Sequence, residues 1–137
     1  MNYPKPAEVG THVLVDFKIQ EFGKYNPKFQ NVEHLIDPFR FQSALSNAIQ
    51  EIGATILNIH IHKFEGENSG FTLNFSLSES HATIHTWPEH LGASMDIYTC
   101  GTADPEIAWE RFRHELESEG IMLAGYMYDQ RTRTLPL

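Results

Sequence analysis

Residues 78–101 read Ser78-Glu79-Ser80-His81-Ala82-Thr83-Ile84-His85-Thr86-Trp87-Pro88-Glu89-His90-Leu91-Gly92-Ala93-Ser94-Met95-Asp96-Ile97-Tyr98-Thr99-Cys100-Gly101. Two runs alternate within this stretch. Ala82, Ile84 and Thr86 alternate with His81, Thr83 and His85; Ala93, Met95, Ile97 and Thr99 alternate with Ser94, Asp96, Tyr98 and Cys100. Side chains two apart on a strand share a face, so each run predicts a strand with one apolar side. Pro88 and Gly92 place a turn between them. Such a hairpin sets His81, Thr83 and His85 on one face, groups Cys100 with Asp96 and Tyr98, and brings Cys100 near Ser80.

Upstream, Phe71, Leu73, Phe75 and Leu77 alternate with Thr72, Asn74, Ser76 and Ser78, which predicts a third strand over 71–78. A polar turn, 65–70, joins it to a strand over 54–64. There Thr55, Leu57, Ile59 and Ile61 face one way and Ile56, Asn58, His60 and His62 the other. Asp37-Pro38 opens a helix, with Asp as N-cap and Pro at the first helical position. Its apolar stripe is Phe41, Ala44, Leu45, Ala48, Ile49 and Ile52, and Gly53 stops it. Residues 21–36 read as loop with a turn near 32–36. Residues 11–20 form a strand through Val13, Val15, Phe17 and Ile19, and residues 1–10 form an irregular arm.

Downstream, Asp104-Pro105 opens a second helix with Ala108, Phe112 and Leu116 as its stripe and Gly120 as its stop. A last strand covers 121–128, and the polar tail 129–137 is expected to be loosely held. Strands arrive as consecutive hairpins and the two helices stand apart from them. The expected fold is therefore α+β: a two-layer sandwich, a mostly antiparallel sheet with two helices on one face. The other sheet face then carries Thr72, Asn74, His60 and His85.

The 137 residues fit a single domain, 1–137. A net charge of −8 with no Lys/Arg cluster excludes a nucleic-acid partner. No 18-residue apolar run and no signal pattern occur, so a cytoplasmic protein without a membrane span is expected. The single cysteine, Cys100, forms no internal disulfide and fits a reducing compartment.

Three chemistries are open to the central stretch. His60, His62, His81, His85 and His90 invite a metal, but neither His-Glu-x-x-His nor Cys-x-x-Cys occurs, and no metal is expected. Ser80, His85 and Asp96 offer a hydrolase set without a Gly-x-Ser-x-Gly elbow. Cys100 with His85 offers a thiol nucleophile pair, which is equally generic.

The runs Glu79-Ser80-His81-x-x-Ile84-His85-Thr86-Trp87-Pro88-Glu89 and Asp96-Ile97-Tyr98-Thr99-Cys100-Gly101 resemble the small prokaryotic S-adenosylmethionine decarboxylases, pyruvoyl-dependent proenzymes. The resemblance extends from about Gly10 to about Gly120 and takes in Gly53-Ala54-Thr55-Ile56 and Asp104-Pro105. It implies self-cleavage between Glu79 and Ser80 into a β chain, 1–79, and an α chain, 80–137. Ser80 attacks the preceding carbonyl to give an ester. Elimination then leaves a dehydroalanine that hydrolyses to a pyruvoyl group, the self-generated cofactor. That carbonyl forms a Schiff base with the substrate amine and takes up electrons as CO₂ leaves.

The resemblance also implies a role for each matching residue. His85 moves protons during processing, as imidazole chemistry suits, and Thr72 assists it. Cys100 protonates the α-carbon after CO₂ loss. Glu89 accepts hydrogen bonds from the ribose hydroxyls, and Phe64 stacks on the adenine. The implied product is decarboxylated S-adenosylmethionine, the aminopropyl donor of spermidine biosynthesis. The implied assembly is a homodimer of cleaved protomers with each site between subunits.

Departures from the family pattern are a longer 65–71 loop, Leu73 where Gly is common, a varied 91–95 run, and the aromatic Tyr126-Met127-Tyr128. These bear on pocket walls, so ornithine or arginine is the alternative substrate. An unprocessed homologue that binds a partner or a nucleoside is the non-enzymatic alternative.

Overall fold

In the computed structural model of the chain, the described residues are 7–20 and 35–137. The elements in chain order are β1 (Ala7–Ile19), α1 (Pro38–Glu51), β2 (Ile56–Lys63), β3 (Phe71–Leu77), β4 (Ser80–Trp87), a 3₁₀ turn (Pro88–His90), β5 (Gly92–Thr99), α2 (Pro105–Ser118) and β6 (Leu123–Leu135). The strands form one six-stranded sheet in the order β2-β3-β4-β5-β1-β6. Every pairing is antiparallel. With both helices on one face, this is the two-layer α+β sandwich expected from the pattern.

The caps form as the residue types dictate. Asp37 accepts from the amides of Phe39 at 2.8 Å and Arg40 at 3.3 Å. Asp104 accepts from the amide of Glu106 at 2.9 Å. Each satisfies donors that a helix start leaves orphaned. Between helices and sheet lies the core. Phe41, Trp109 and Phe112 pack on Phe17 at ring separations of 6.4, 5.7 and 6.1 Å. All four are at most 3% exposed. Burying a side chain of this size stabilises the fold by about 1.5–3 kcal/mol, so this quartet anchors the helix layer. Among the described residues the opposite face of the sheet is open.

Three expectations on the strands require correction. The tail 129–137 is not loosely held, because β6 runs to Leu135 and pairs with β1 from Ile19↔Leu123 to Ala7↔Leu135. Residues 7–10 are likewise strand rather than irregular arm; residues 1–6 lie outside the described residues, as does most of the 21–36 loop. In β2, Leu57 does not share the inward face with Ile59 and Ile61. A register shift between Ile56 and Asn58 turns Leu57 outward, 66% exposed, while Ile56, Ile59 and Ile61 pack on the core. One inserted residue inverts a period-two pattern.

Candidate active site

The β3–β4 hairpin closes through a two-residue turn, Ser78-Glu79, flanked by the pair Leu77↔Ser80. The amide of Ser78 donates to the carbonyl of Thr55 at 3.0 Å and pins this turn. Glu79 has φ +58°, in the left-handed region. A side chain with a Cβ is strained there by roughly 1–2 kcal/mol. The strained residue is the one whose carbonyl precedes Ser80.

Because β5 pairs with β4 in the register His81↔Tyr98, the residue just past β5 falls beside this turn. That residue is Cys100. Its amide donates to Ser80 Oγ at 3.2 Å, and its thiol donates to the Glu79 carbonyl oxygen at 3.0 Å. One residue thus holds the hydroxyl and polarises the adjacent carbonyl. A hydroxyl beside a strained, polarised peptide carbonyl suits an N-to-O acyl shift.

Thr72 and His85 also meet: their side chains, Oγ1 and Nδ1, lie 3.1 Å apart, as the register Thr72↔His85 requires. They do not meet Ser80. Five residues of extended strand separate Ser80 from His85, about 16 Å at ~3.3 Å per residue. Phe64 lies at the same end as His85, edge-on to His62 at 4.8 Å and half exposed. Glu89 is exposed in the 3₁₀ turn that follows β4. Gly70 joins the Phe64 loop to this turn, since a Cβ there would come within 2.9 Å of Pro88 and Thr86, and its φ is +86°. The candidate residues therefore fall at two ends of the sheet: Glu79, Ser80 and Cys100 at one, and Phe64, Thr72, His85 and Glu89 at the other.

Two hollows flank the second end. One, of about 410 Å³, includes Phe39, Lys63, Phe64 and Pro88 in its walls. The other, of about 460 Å³, lies between Trp87, His90, Lys18 and Met127. Neither touches Ser80 or Cys100.

Sequence reasoning missed a cluster in the middle of the open face. Asp96 Oδ2 lies 2.7 Å from Nε2 of both His12 and His81, and Asp96 Oδ1 accepts from the Thr83 hydroxyl. Burial pushes the Asp96 carboxyl up, but hydrogen bonds from Thr83, His12 and His81 and the charge on His81 hold it below 3.8. Asp96 is thus committed to His81 and His12, and the hydrolase set Ser80/His85/Asp96 does not assemble. His12, His81 and Asp96 place three donor atoms within 4.8 Å of one another. Arg133 Nη1 lies 3.3 Å from His12 Nδ1. Arg133 can only donate, so Nδ1 accepts and the proton of His12 sits on Nε2, facing the carboxylate. That tautomer favours a hydrogen-bonded cluster over a cation site. Period-two alternation places His12 and Asp96 on strand faces, but only the β1–β5 neighbour relation brings them together.

Comparison with known proteins places this arrangement. The S-adenosylmethionine decarboxylase family model matches residues 27–125. The S-adenosylmethionine decarboxylase proenzyme of Prochlorococcus marinus (strain MIT 9313) is 34% identical over 119 residues, 86% of each chain. That of Thermosipho africanus (strain TCF52B) is 32% identical over 127 residues, 89% of this chain and 88% of the relative. The crystal structure of the adenosylmethionine decarboxylase from Aquifex aeolicus VF5 superposes with a TM-score of 0.63 at 26% identity, covering 96% of this chain and 95% of that one. The fold and the matched length define a decarboxylase-family chain of the α+β sandwich type. The chain belongs to the S-adenosylmethionine decarboxylase family.

Proposed function

We propose that this chain is a self-cleaving proenzyme that becomes a cytoplasmic S-adenosylmethionine decarboxylase, supplying the aminopropyl donor of spermidine biosynthesis. The observation that carries the reading is the meeting of Ser80, Cys100 and the Glu79 carbonyl at a strained turn. Ser80 Oγ attacks the Glu79 carbonyl carbon while the Cys100 thiol stabilises the developing charge on its oxygen. Cleavage releases the left-handed strain at Glu79, which favours the forward direction. The pyruvoyl group that Ser80 becomes supplies an electrophilic carbonyl that serves as electron sink. Cys100 remains beside it and donates the proton that replaces CO₂.

The distance along β4 supports a homodimeric assembly. His85 needs to reach a serine about 16 Å away on its own strand, which a second copy solves. In a homodimer with open faces packed together, Thr72 and His85 of one protomer approach Ser80 and Cys100 of its partner. Leu14, Trp87 and Met127 are exposed on that face, at 38%, 44% and 74%, and gain cover there. Phe64 and Glu89 then supply adenine and ribose contacts to the partner's site.

The test is release of CO₂ from S-adenosylmethionine, ornithine and arginine by the purified protein. Release from S-adenosylmethionine alone is expected. Preference for a free amino acid would overturn the substrate assignment, and no release from any would overturn the enzyme reading.

A further inference from the structure

If the chain is a decarboxylase, as proposed above, Cys100 gives up its thiol proton in each turnover and has to be reloaded; the role assigned below to His81 rests on that reading. His85 of the same chain is about 16 Å from Ser80 along the strand. The partner's His85 reaches this site in the proposed dimer and is assigned to self-cleavage; within one chain a nearer imidazole exists. His81 lies directly opposite Tyr98, on the face that Tyr98 shares with Cys100. It is therefore the diagonal neighbour of Cys100. Diagonal pairs on adjacent strands lie about 7–8 Å apart, a gap that an imidazole spans directly or through one water.

The surroundings of His81 decide which of its nitrogens is available. Nε2 faces the Asp96 carboxylate at 2.7 Å and carries hydrogen, because a carboxylate only accepts. Nδ1 has no hydrogen-bond partner among the described residues, and the side chain is 45% exposed. His12 differs: it is 15% exposed, with Nδ1 occupied by Arg133. Of the two imidazoles, His81 is the one with a nitrogen free for a second proton.

The charged and titratable groups around His81 are Asp96, Tyr98 and Cys100 from β5 and its end, His12 from β1, Arg133 from β6, and Glu79 in the preceding turn. β3 presents the uncharged Ser76 opposite it. Arg133 opposes a second proton in the cluster through His12, while the Asp96 carboxylate favours it by direct contact. The rings of His12, His81 and Tyr98 pack against one another at 5.4–5.7 Å and hold the cluster still.

We propose that His81, oriented by Asp96, returns the proton to the Cys100 thiolate. The Nδ1–H bond breaks, an Sγ–H bond forms, and the imidazolium becomes neutral imidazole. Water that enters the site between the two protomers then replaces the proton. His81 acts through Cys100, and Asp96 through His81; both are positioning residues.

The discriminating variant is His81→Gln, which keeps an N–H for Asp96 and cannot carry a proton. It should cleave between residues 79 and 80 and keep KM. Its kcat should fall about tenfold or more. The alkaline decline of kcat that follows loss of the imidazolium should vanish with it. His81→Ala should regain part of its kcat in added imidazole.

A readout independent of turnover uses the single thiol. In uncut Ser80→Ala protein, the pH profile of Cys100 alkylation should carry an inflection that Ser80→Ala/His81→Gln lacks. Wild-type kcat and an unchanged alkylation profile in the Gln variants would overturn the proposal and leave the decarboxylase reading standing. If His81→Gln fails to cleave, imidazole rescue of His81→Ala decides, and no rescue overturns the proposal. If the wild-type protein releases no CO₂ from S-adenosylmethionine, both fall together.

Discussion

Replacing Asp96 with Asn tests whether the central cluster is an ionised hydrogen-bond network. Asp96 accepts from three side chains, two of them at one oxygen. Asn keeps a single acceptor. If it serves Thr83, the amide NH₂ faces the Nε2–H of both His12 and His81, and two donors lose their partner. Hydrogen bonds to a charged group contribute about 1.5–3 kcal/mol each. The half-exposed His81 recovers part of its share from water, so the expected loss is about 2–4 kcal/mol. For a domain of this size that corresponds to a fall in Tm of roughly 8–15 °C.

The pH dependence follows from the direction of the Asp96 shift. Its folded pKa lies below its ordinary value of 3.8, so the stability it contributes is present above that value. That contribution is lost as pH falls through the folded pKa. Urea unfolding of Ser80→Ala and Ser80→Ala/Asp96→Asn proteins should therefore differ most clearly above about pH 5 and draw together only as pH falls below 3.8 toward the folded pKa. The Ser80→Ala background keeps the chain in one piece. A difference under about 0.5 kcal/mol at pH 7, or one that persists undiminished at about pH 3, would refute the network.

Cys100→Ala should decarboxylate slowly and inactivate progressively as the wrong carbon is protonated, a loss visible as a changed mass of the 80–137 fragment; normal turnover would remove Cys100 from the mechanism. Glu89→Gln should raise KM for S-adenosylmethionine about tenfold with little change in kcat, by weakening a charge-assisted hydrogen bond, and steady-state kinetics would detect it. Co-expressed Ser80→Ala and His85→Ala chains should complement in part. A mixed dimer regains one site with both residues, cutting only the His85→Ala chain; the absence of any cut would argue against a shared site.

Much of this fold is legible in the sequence because its strands bury one face. Alternation through Phe71–Leu77, Ala82–Thr86 and Ala93–Thr99 marks three adjacent strands, and the twin Asp-Pro caps mark both helices. The meeting of Ser80 with Cys100 follows from the hairpin alone. β6 is longer than its pattern suggests because its residues are exposed on both faces, so no periodicity marks it; its order comes from backbone pairing with β1. Leu57 escapes the alternation because a bulge leaves no mark in hydrophobic spacing. The Asp96 cluster needs β1 beside β5, a long-range neighbour relation that local patterns do not encode. The spacing of five between Ser80 and His85 is legible as a motif, but its physical meaning, opposite ends of a strand, appears only once the strand is extended.

The central claim is that Ser80 cuts its own chain, and the mass of the purified protein under denaturing conditions tests it most directly. Two fragments are predicted, residues 1–79 and 80–137, the second with a blocked ketone end that reacts with hydroxylamine. Ser80→Ala, with a methyl that cannot attack the Glu79 carbonyl, should stay whole. Proteolysis in the exposed 65–70 loop would also give two fragments, so the position of the cut and the chemistry of the new end decide. An uncut wild-type chain with full decarboxylase activity would contradict the claim.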